Sequence, residues 1–140
     1  MAIALNYRYS VILKHLYPNL ETGKHYILRD KSDGTGPQLQ WITKAVAKPT
    51  TKELTDAKEA AINAWWWARL RTKRDTKLKK SDWTQGADTP SSIKNAWATY
   101  RQKLRDLPTT VSKPSFATLD DQRDYTMHDH MMALFPAEPS

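Results

Sequence analysis

The chain has 140 residues, room for one domain or two very small ones, and its 39% hydrophobic content excludes full disorder. Its 22 Lys and Arg against 15 Asp and Glu leave a net charge of +7, which favours acidic partners in general and selects none in particular. Zero cysteines exclude disulfides, thiolate metal sites and a cysteine nucleophile. No apolar run approaches the roughly 18 residues of a membrane-spanning helix, and Met1 to Asn6 lacks the charged and apolar regions of a secretory signal.

In chain order, Met1 to Leu5 is a short apolar start that suits a strand. Tyr9 to Leu16, with Val11, Ile12, Leu13 and Leu16 and a stop at Pro18, reads as a short helix, although Tyr and Val also suit a strand. His25 to Arg29 is a strand with Tyr26 and Leu28 on one face. Asp33-Gly34 and Gly36-Pro37 mark a turn, and Gln38 to Val46 alternates with Leu39 and Trp41 on one face. Tyr26 to Val46 is therefore predicted to be a β-hairpin with a long loop. Two strands alone are marginal in water, so the N-terminal helix, the tryptophan-rich region or a partner must cover them.

After the linker Ala47 to Thr51, a long helix is predicted from Lys52 to Lys80. Thr50 and Glu53 have the spacing of a capping box, and Pro49 discourages helix from running in upstream. Leu54, Ala57, Ala61, Ala64 and Ala68 fall near one face, flanked by Ile62, Trp65, Trp66 and Leu70. At 100° per residue the Trp65-Trp66-Trp67 run spans about 200°, so one packing face cannot bury all three rings. Two buried rings and one half-exposed ring is the plain expectation. An exposed ring that anchors another chain is the functional one, since Trp is enriched at binding hot spots.

Asp82 to Asp88 is too short and too rich in turn formers for anything but a corner. A second helix starts near Pro90, with Thr89 as N-cap, and ends at Pro108. Ile93, Ala96, Trp97, Tyr100, Leu104 and Leu107 share one of its faces. So short a link predicts an antiparallel helical hairpin. Thr109 to Pro114 reads as extended linker. Thr118 to Leu134 reads as a helix with Leu119, Arg123, Met127, Met131 and Leu134 in a stripe and Met132 and Phe135 beside it, docked on the hairpin or on a neighbour. The fold class is α+β, with an α/β-hairpin unit at 1–48, a helical hairpin at 49–108 and a C-terminal appendage at 109–140.

Candidate chemistry is sparse. Arg69, Arg71, Lys73, Arg74, Lys77, Lys79 and Lys80 place seven cations in twelve residues, against the single acid Asp75. Such a cluster suits phosphate binding, but the charges are expected to point round the helix and no base-reading motif accompanies them. A solvated helix end, where cations offset the macrodipole, or an acidic protein partner explains the run better. His128-Asp129-His130 is the one histidine cluster, and its i, i+2 spacing on a helix cannot chelate one metal. No nucleophile motif, phosphate loop or cofactor fingerprint occurs, so no catalytic residue, metal or cofactor is assigned. The corner is the best-specified site. Trp83 requires an apolar place and a partner for its N–H. Asp82 and Asp88 suit local backbone N–H groups, and Arg74, Arg101 and Arg105 are placed to pair with Asp75, Asp88 or Asp106.

The runs Arg74-Asp75-Thr76-Lys77-Leu78, Ser81-Asp82-Trp83-Thr84-Gln85, Asp88-Thr89-Pro90 and Trp97 to Pro108 resemble the C-terminal half of the phage tail assembly chaperone family. Leu16-Tyr17-Pro18 and the acidic, glycine-bearing Asp30 to Gly34 resemble its N-terminal part more weakly, and nothing beyond Pro108 does. The resemblance implies a non-enzymatic protein that holds a tail-fibre or other tail protein during assembly in the host cytoplasm, with retention in the virion tail or self-association as additions. Trp65, Trp66, Trp67, Trp83, Trp97, Tyr100, Met127, Met131 and Phe135 are the residues expected to meet the client. A small basic nucleic-acid-binding protein and a purely structural tail component are the alternatives.

Overall fold

The computed structural model describes residues 9–30, 32, 37–113 and 130–140. The predicted strand at Met1 to Leu5, the turn residues Asp33 to Gly36, most of the C-terminal helix, Met127, His128 and Asp129 lie outside the described residues. Element order is α1 (Tyr9–Leu16), β1 (Tyr26–Asp30), β2 (Pro37–Trp41), α2 (Thr51–Lys80), a 3-10 turn (Asp82–Gln85) and α3 (Ser91–Thr110). This is an α+β chain with two compact units, Met1–Trp65 and Trp66–Ser140, and the division falls inside α2.

In the first unit β1 and β2 form an antiparallel pair in which Tyr26 faces Trp41 and Leu28 faces Leu39. Those four side chains share one side of the hairpin because strand residues two apart point the same way. They meet Tyr9, Ile12 and Leu13 of α1 and Leu54 and Ala61 of α2, so the cover that the two strands need comes from within the chain. Trp41 stacks on Tyr26 at 5.9 Å and meets Tyr17 edge-on at 5.5 Å. Its indole N–H donates to the Val46 carbonyl at 2.8 Å. That bond folds the chain back after Trp41, so β2 stops there rather than running to Val46. Ile42 and Thr43 both donate to the His25 carbonyl at 2.9 Å.

The capping box forms as its spacing requires. Thr50 N–H donates to Glu53 Oε2 at 2.8 Å and Glu53 N–H to Thr50 Oγ1 at 3.1 Å. The buried stripe of α2 is not the alanine line. Ala64 and Ala68 are exposed, while Ile62, Trp66 and Leu70 are fully buried. Burial scales with apolar area, so one Trp and two branched side chains at i, i+4 spacing outweigh a run of methyl groups.

In the second unit α3 begins at Ser91 with Pro90 itself as N-cap, and the first helical bond is Lys94 N–H to Pro90 C=O at 2.9 Å. Thr89 is not the cap, because its hydroxyl turns back to the Trp83 carbonyl at 3.1 Å. Nor does Pro108 end the helix, which continues to Thr110. A proline in the last turn forfeits one backbone bond but keeps a helical φ, and the Thr109 and Thr110 hydroxyls donate to the Asp106 and Leu107 carbonyls at 2.7 and 3.3 Å.

Thr50→Ala is expected to lower the unfolding free energy by about 1 kcal/mol, read as a shifted urea midpoint at unchanged slope. A loss of only a few tenths would show that the box contributes little to holding the start of α2.

Candidate functional site

The corner between α2 and α3 is built around one side chain that sequence reasoning placed in the wrong pairing. Arg101 reaches from α3 to the end of α2. Its NH1 donates to the Leu78 carbonyl at 2.6 Å and to Ser81 Oγ at 2.7 Å, and its NH2 donates to Asp82 Oδ1 at 2.8 Å. The last carbonyls of a helix have no partner within it and carry partial negative charge. A guanidinium there supplies both the donors and the opposite charge. Ser81 Oγ, which accepts from Arg101, also lies within reach of the Lys77 carbonyl at 2.9 Å.

A second polar thread continues the corner. Thr84 Oγ1 donates to the Ser81 carbonyl at 2.6 Å and accepts from Gln85 Nε2 at 3.0 Å, and Gln85 Nε2 also reaches the Lys94 carbonyl at 3.1 Å. Ser81 and Thr84 are buried. They, Gln85 and the Leu78 carbonyl were not foreseen. Two small hydroxyl residues three apart directly after a helix are the signal that was available, since such side chains serve local backbone groups.

The other predicted pairs are local or unmade. Arg74 pairs with its neighbour Asp75 at 2.9 Å, and Arg105 bonds Gln102 Oε1 on its own helix at 2.9 Å. Asp106 accepts from Gln102 at 2.9 Å. Asp88 is exposed, outside the bonds that hold the corner.

The aromatic residues separate by environment. Trp66 is fully buried and meets Trp67 edge-on at 4.9 Å, while Trp65 and Trp67 are half-buried. The triplet thus sinks one ring where two were expected. Arg71 lies over the Trp67 ring at 5.9 Å. Tyr100 and Met131 are buried, and Phe135 is half-buried with the Lys77 ammonium 5.7 Å from its ring centre. Trp83 was expected in an apolar place. It is instead 64% exposed, its ring leaning on Trp97 at 6.1 Å, and Trp97 meets Tyr100 edge-on at 5.4 Å. Ile93, placed on the buried face of α3 by its spacing, is 40% exposed. The lower half of that face is covered at Tyr100, Leu104 and Leu107, while at its upper half exposed Ile93 and half-buried Trp97 form an apolar patch with Trp83 of the 3-10 turn.

The basic run points to more than one side of α2: Arg71 lies over Trp67 and Arg74 pairs with Asp75, while Arg69, Lys73, Lys77 and Lys80 share another side. With Thr72, Thr76, Met132 and Glu138 they line an open groove of about 520 Å³. Burial, and after it the neighbouring Arg69 charge, lowers the Lys73 ammonium below the ordinary lysine value. Among the described residues no three His, Asp or Glu side chains gather as a metal site, and no helix is long and apolar enough to cross a membrane.

Two expectations follow. Arg101→Ala is expected to cost about 1.5–3 kcal/mol in urea unfolding, because it strips the part-buried Leu78 carbonyl and Ser81 hydroxyl of a charged donor. Asp82→Asn should cost under about 1 kcal/mol, because that carboxylate is 64% exposed against 14% for Arg101. Equal losses would mean that the ion pair, not the helix-end cap, holds the corner. Separately, the Tyr100 hydroxyl is the one buried side-chain polar atom without a hydrogen bond among the described residues. Burial, and then the Glu138 carboxylate, raise its pKa above 10.0. Above pH 10 the unfolded chain therefore loses this proton first, and stability falls as pH rises. Tyr100→Phe is expected to leave stability at pH 7 unchanged or up to about 1 kcal/mol higher, with the advantage growing above pH 10. A loss greater than that at pH 7 would contradict the unpaired hydroxyl.

Two family models match, and they meet inside α2. Residues 10–66 match the XkdW protein family, so the N-terminal stretch is similar to a family other than the one its weak resemblance pointed to. Residues 67–122 match the phage tail assembly chaperone protein family, which carries the likeness past Pro108. No curated protein and no solved structure matches the chain. Through the Arg101-capped corner and along α3, residues 67–122 are thus similar to the phage tail assembly chaperone protein family, and that match supports a role in phage tail assembly.

Proposed function

We propose that the chain holds a tail-fibre polypeptide during tail assembly, and that the apolar patch of Trp83, Ile93 and Trp97 is where the client docks. The observation that carries this reading is the 64% exposure of Trp83 beside the 40% exposure of Ile93, within the segment matched to the chaperone family. A chaperone of this size acts by covering apolar surface on its client until that surface finds its permanent partner. An exposed indole on a rigid support suits that task, because it offers large contact area at little cost in side-chain entropy. The support here is rigid. Thr89 and Gly86 both bond the Trp83 carbonyl, at 3.1 and 3.4 Å, and the turn is tied to α3 by Gln85.

The same geometry narrows the wider set of aromatic candidates. Trp66, Tyr100 and Met131 are committed to the interior of the chain. Trp65, Trp67 and Phe135 are half-buried and stand as secondary contacts. The proposed action is pure binding and needs no reactive centre.

Co-expression with the tail-fibre protein of the same phage tests the proposal. The fibre is expected to stay soluble and to form a complex on size exclusion with the wild type. Trp83→Ser combined with Ile93→Ser is expected to weaken that complex about tenfold or more, with unfolding free energy lowered by about 1–2 kcal/mol, because Ile93 is only 40% exposed and Trp83 leans on Trp97. Fibre that assembles equally well without the chain would favour a purely structural component. Binding of oligonucleotide that collapses with salt would favour the nucleic-acid reading.

A further inference from the structure

The two edges of the β-hairpin are not alike. Just beyond the paired residues, Ile42 N–H donates to the His25 carbonyl at 2.9 Å. Bonded and non-bonded pairs alternate along an antiparallel ladder, so Ile27 with Gln40 and Arg29 with Gln38 exchange its hydrogen bonds. The backbone groups of Tyr26 and Leu28 on β1, and of Pro37, Leu39 and Trp41 on β2, therefore point away from the partner strand. The outer edge of β1 is taken at its start by the chain before it. Thr22 bridges to Tyr26, and Gly23 N–H donates to the Tyr26 carbonyl at 2.7 Å. Further along, Arg29 and Asp30 put charges on that strand. On β2, no backbone hydrogen bond among the described residues reaches the outward groups of Leu39 or Trp41. Exposed edges are commonly guarded by charged side chains. Pro37 to Trp41 carry none, and Gln38 and Gln40 are exposed.

We propose that the β2 edge pairs with the same edge of a second copy of this chain, antiparallel about a two-fold axis at Leu39. The strand suits its own copy. Gln38-Leu39-Gln40 is symmetric about Leu39, and β2 brings no charge to the contact, although the chain as a whole carries +7. In this register Leu39 faces the partner's Leu39, Gln38 faces the partner's Gln40 and Trp41 faces the partner's Pro37. The two Leu39 residues exchange N–H and C=O bonds, and each Trp41 N–H donates to the opposite Pro37 carbonyl. Pro37 has no N–H to give, so the loss falls at the two ends of the pairing, where water reaches the carbonyl. A slip by one residue would turn Leu39 and Trp41 away from the partner's apolar face. A slip by two would set Pro37 against the partner's Thr43, where the bond from Trp41 to the Val46 carbonyl has already folded the chain back. Centring on Leu39 is the register that pairs the whole strand. It makes a four-stranded sheet of two hairpins that are marginal alone. The assignment does not rest on the client-holding role.

Sedimentation velocity of the full chain, over a concentration series from about 0.01 to about 1 mM, tests the pairing. A monomer–dimer equilibrium is expected, because an edge contact this short falls below the roughly 1,200 Å² of a stable interface and dissociates on dilution. Amide exchange at Leu39 and Trp41 is expected to slow as the dimer fills. Gln38→Lys combined with Gln40→Lys sets like charges opposite each other twice in the proposed register and is expected to weaken the dimer about fivefold or more. Gln38→Glu combined with Gln40→Lys leaves net charge unchanged, sets opposite charges face to face, and is expected to tighten it about threefold or more. Both positions are exposed, so urea midpoints and circular dichroism are expected to stay near those of the wild type. A chain that stays monomeric in all three forms, a dimer indifferent to both double variants, or one weakened by the charge-neutral variant would each overturn the assignment. So would a dimer lost with Trp83→Ser and Ile93→Ser, which would move the contact to the aromatic patch. The fibre complex on size exclusion is read separately, so the edge pairing and the client role fail independently.

Discussion

The second unit depends on the Arg101 guanidinium seated on the end of α2. Ser81 N–H and Oγ already serve the Lys77 and Leu78 carbonyls at the end of α2, and the guanidinium adds to them the one charged donor that comes from α3. That single planar group donates to the Leu78 carbonyl and to Ser81 Oγ and pairs with Asp82. Those contacts place the 3-10 turn against α3, which lies closest to that turn among the described elements. The Ser81–Thr84–Gln85 thread then carries the same polar logic forward to Lys94.

That fixed corner explains how an indole can be held in water. Six tryptophans in 140 residues are more than so small a core needs. Trp41 closes the hairpin, Trp66 is fully buried on α2, and Trp83 is left outside by a turn whose backbone is committed elsewhere. Apolar surface kept outside by a well-bonded support is characteristic of binding rather than of loose packing.

The first unit was largely legible in the sequence. The helix at Tyr9–Leu16, the sharing of a face by Tyr26, Leu28, Leu39 and Trp41, and the Thr50–Glu53 box all rest on rules spanning a few residues. Strand alternation and cap spacing leave little choice. The errors came where several local solutions were nearly equal. Ala64 and Ala68 fit the period of α2 as well as Trp66 and Leu70 do, and only the area each can bury separates them. Pro108 reads as a stop, yet a last-turn proline costs one bond, and the threonines that follow supply hydroxyls to the same turn. The cations of α2 look scattered on a helical wheel, and only the approach of Met132 and Glu138 makes a groove of one side.

What the sequence determined by itself was the type and order of the elements described between Tyr9 and Thr110, the α+β class, the lack of any cysteine chemistry, and the kinship of the corner motif. These follow from periodicity, composition and short-range bonds. What only the tertiary structure decided was which arginine caps α2, which of three adjacent rings is buried, and that Trp83 and Ile93 face solvent. Each of those turns on a contact between residues far apart in the chain, where the competing partners differ little in chemistry and geometry alone selects among them.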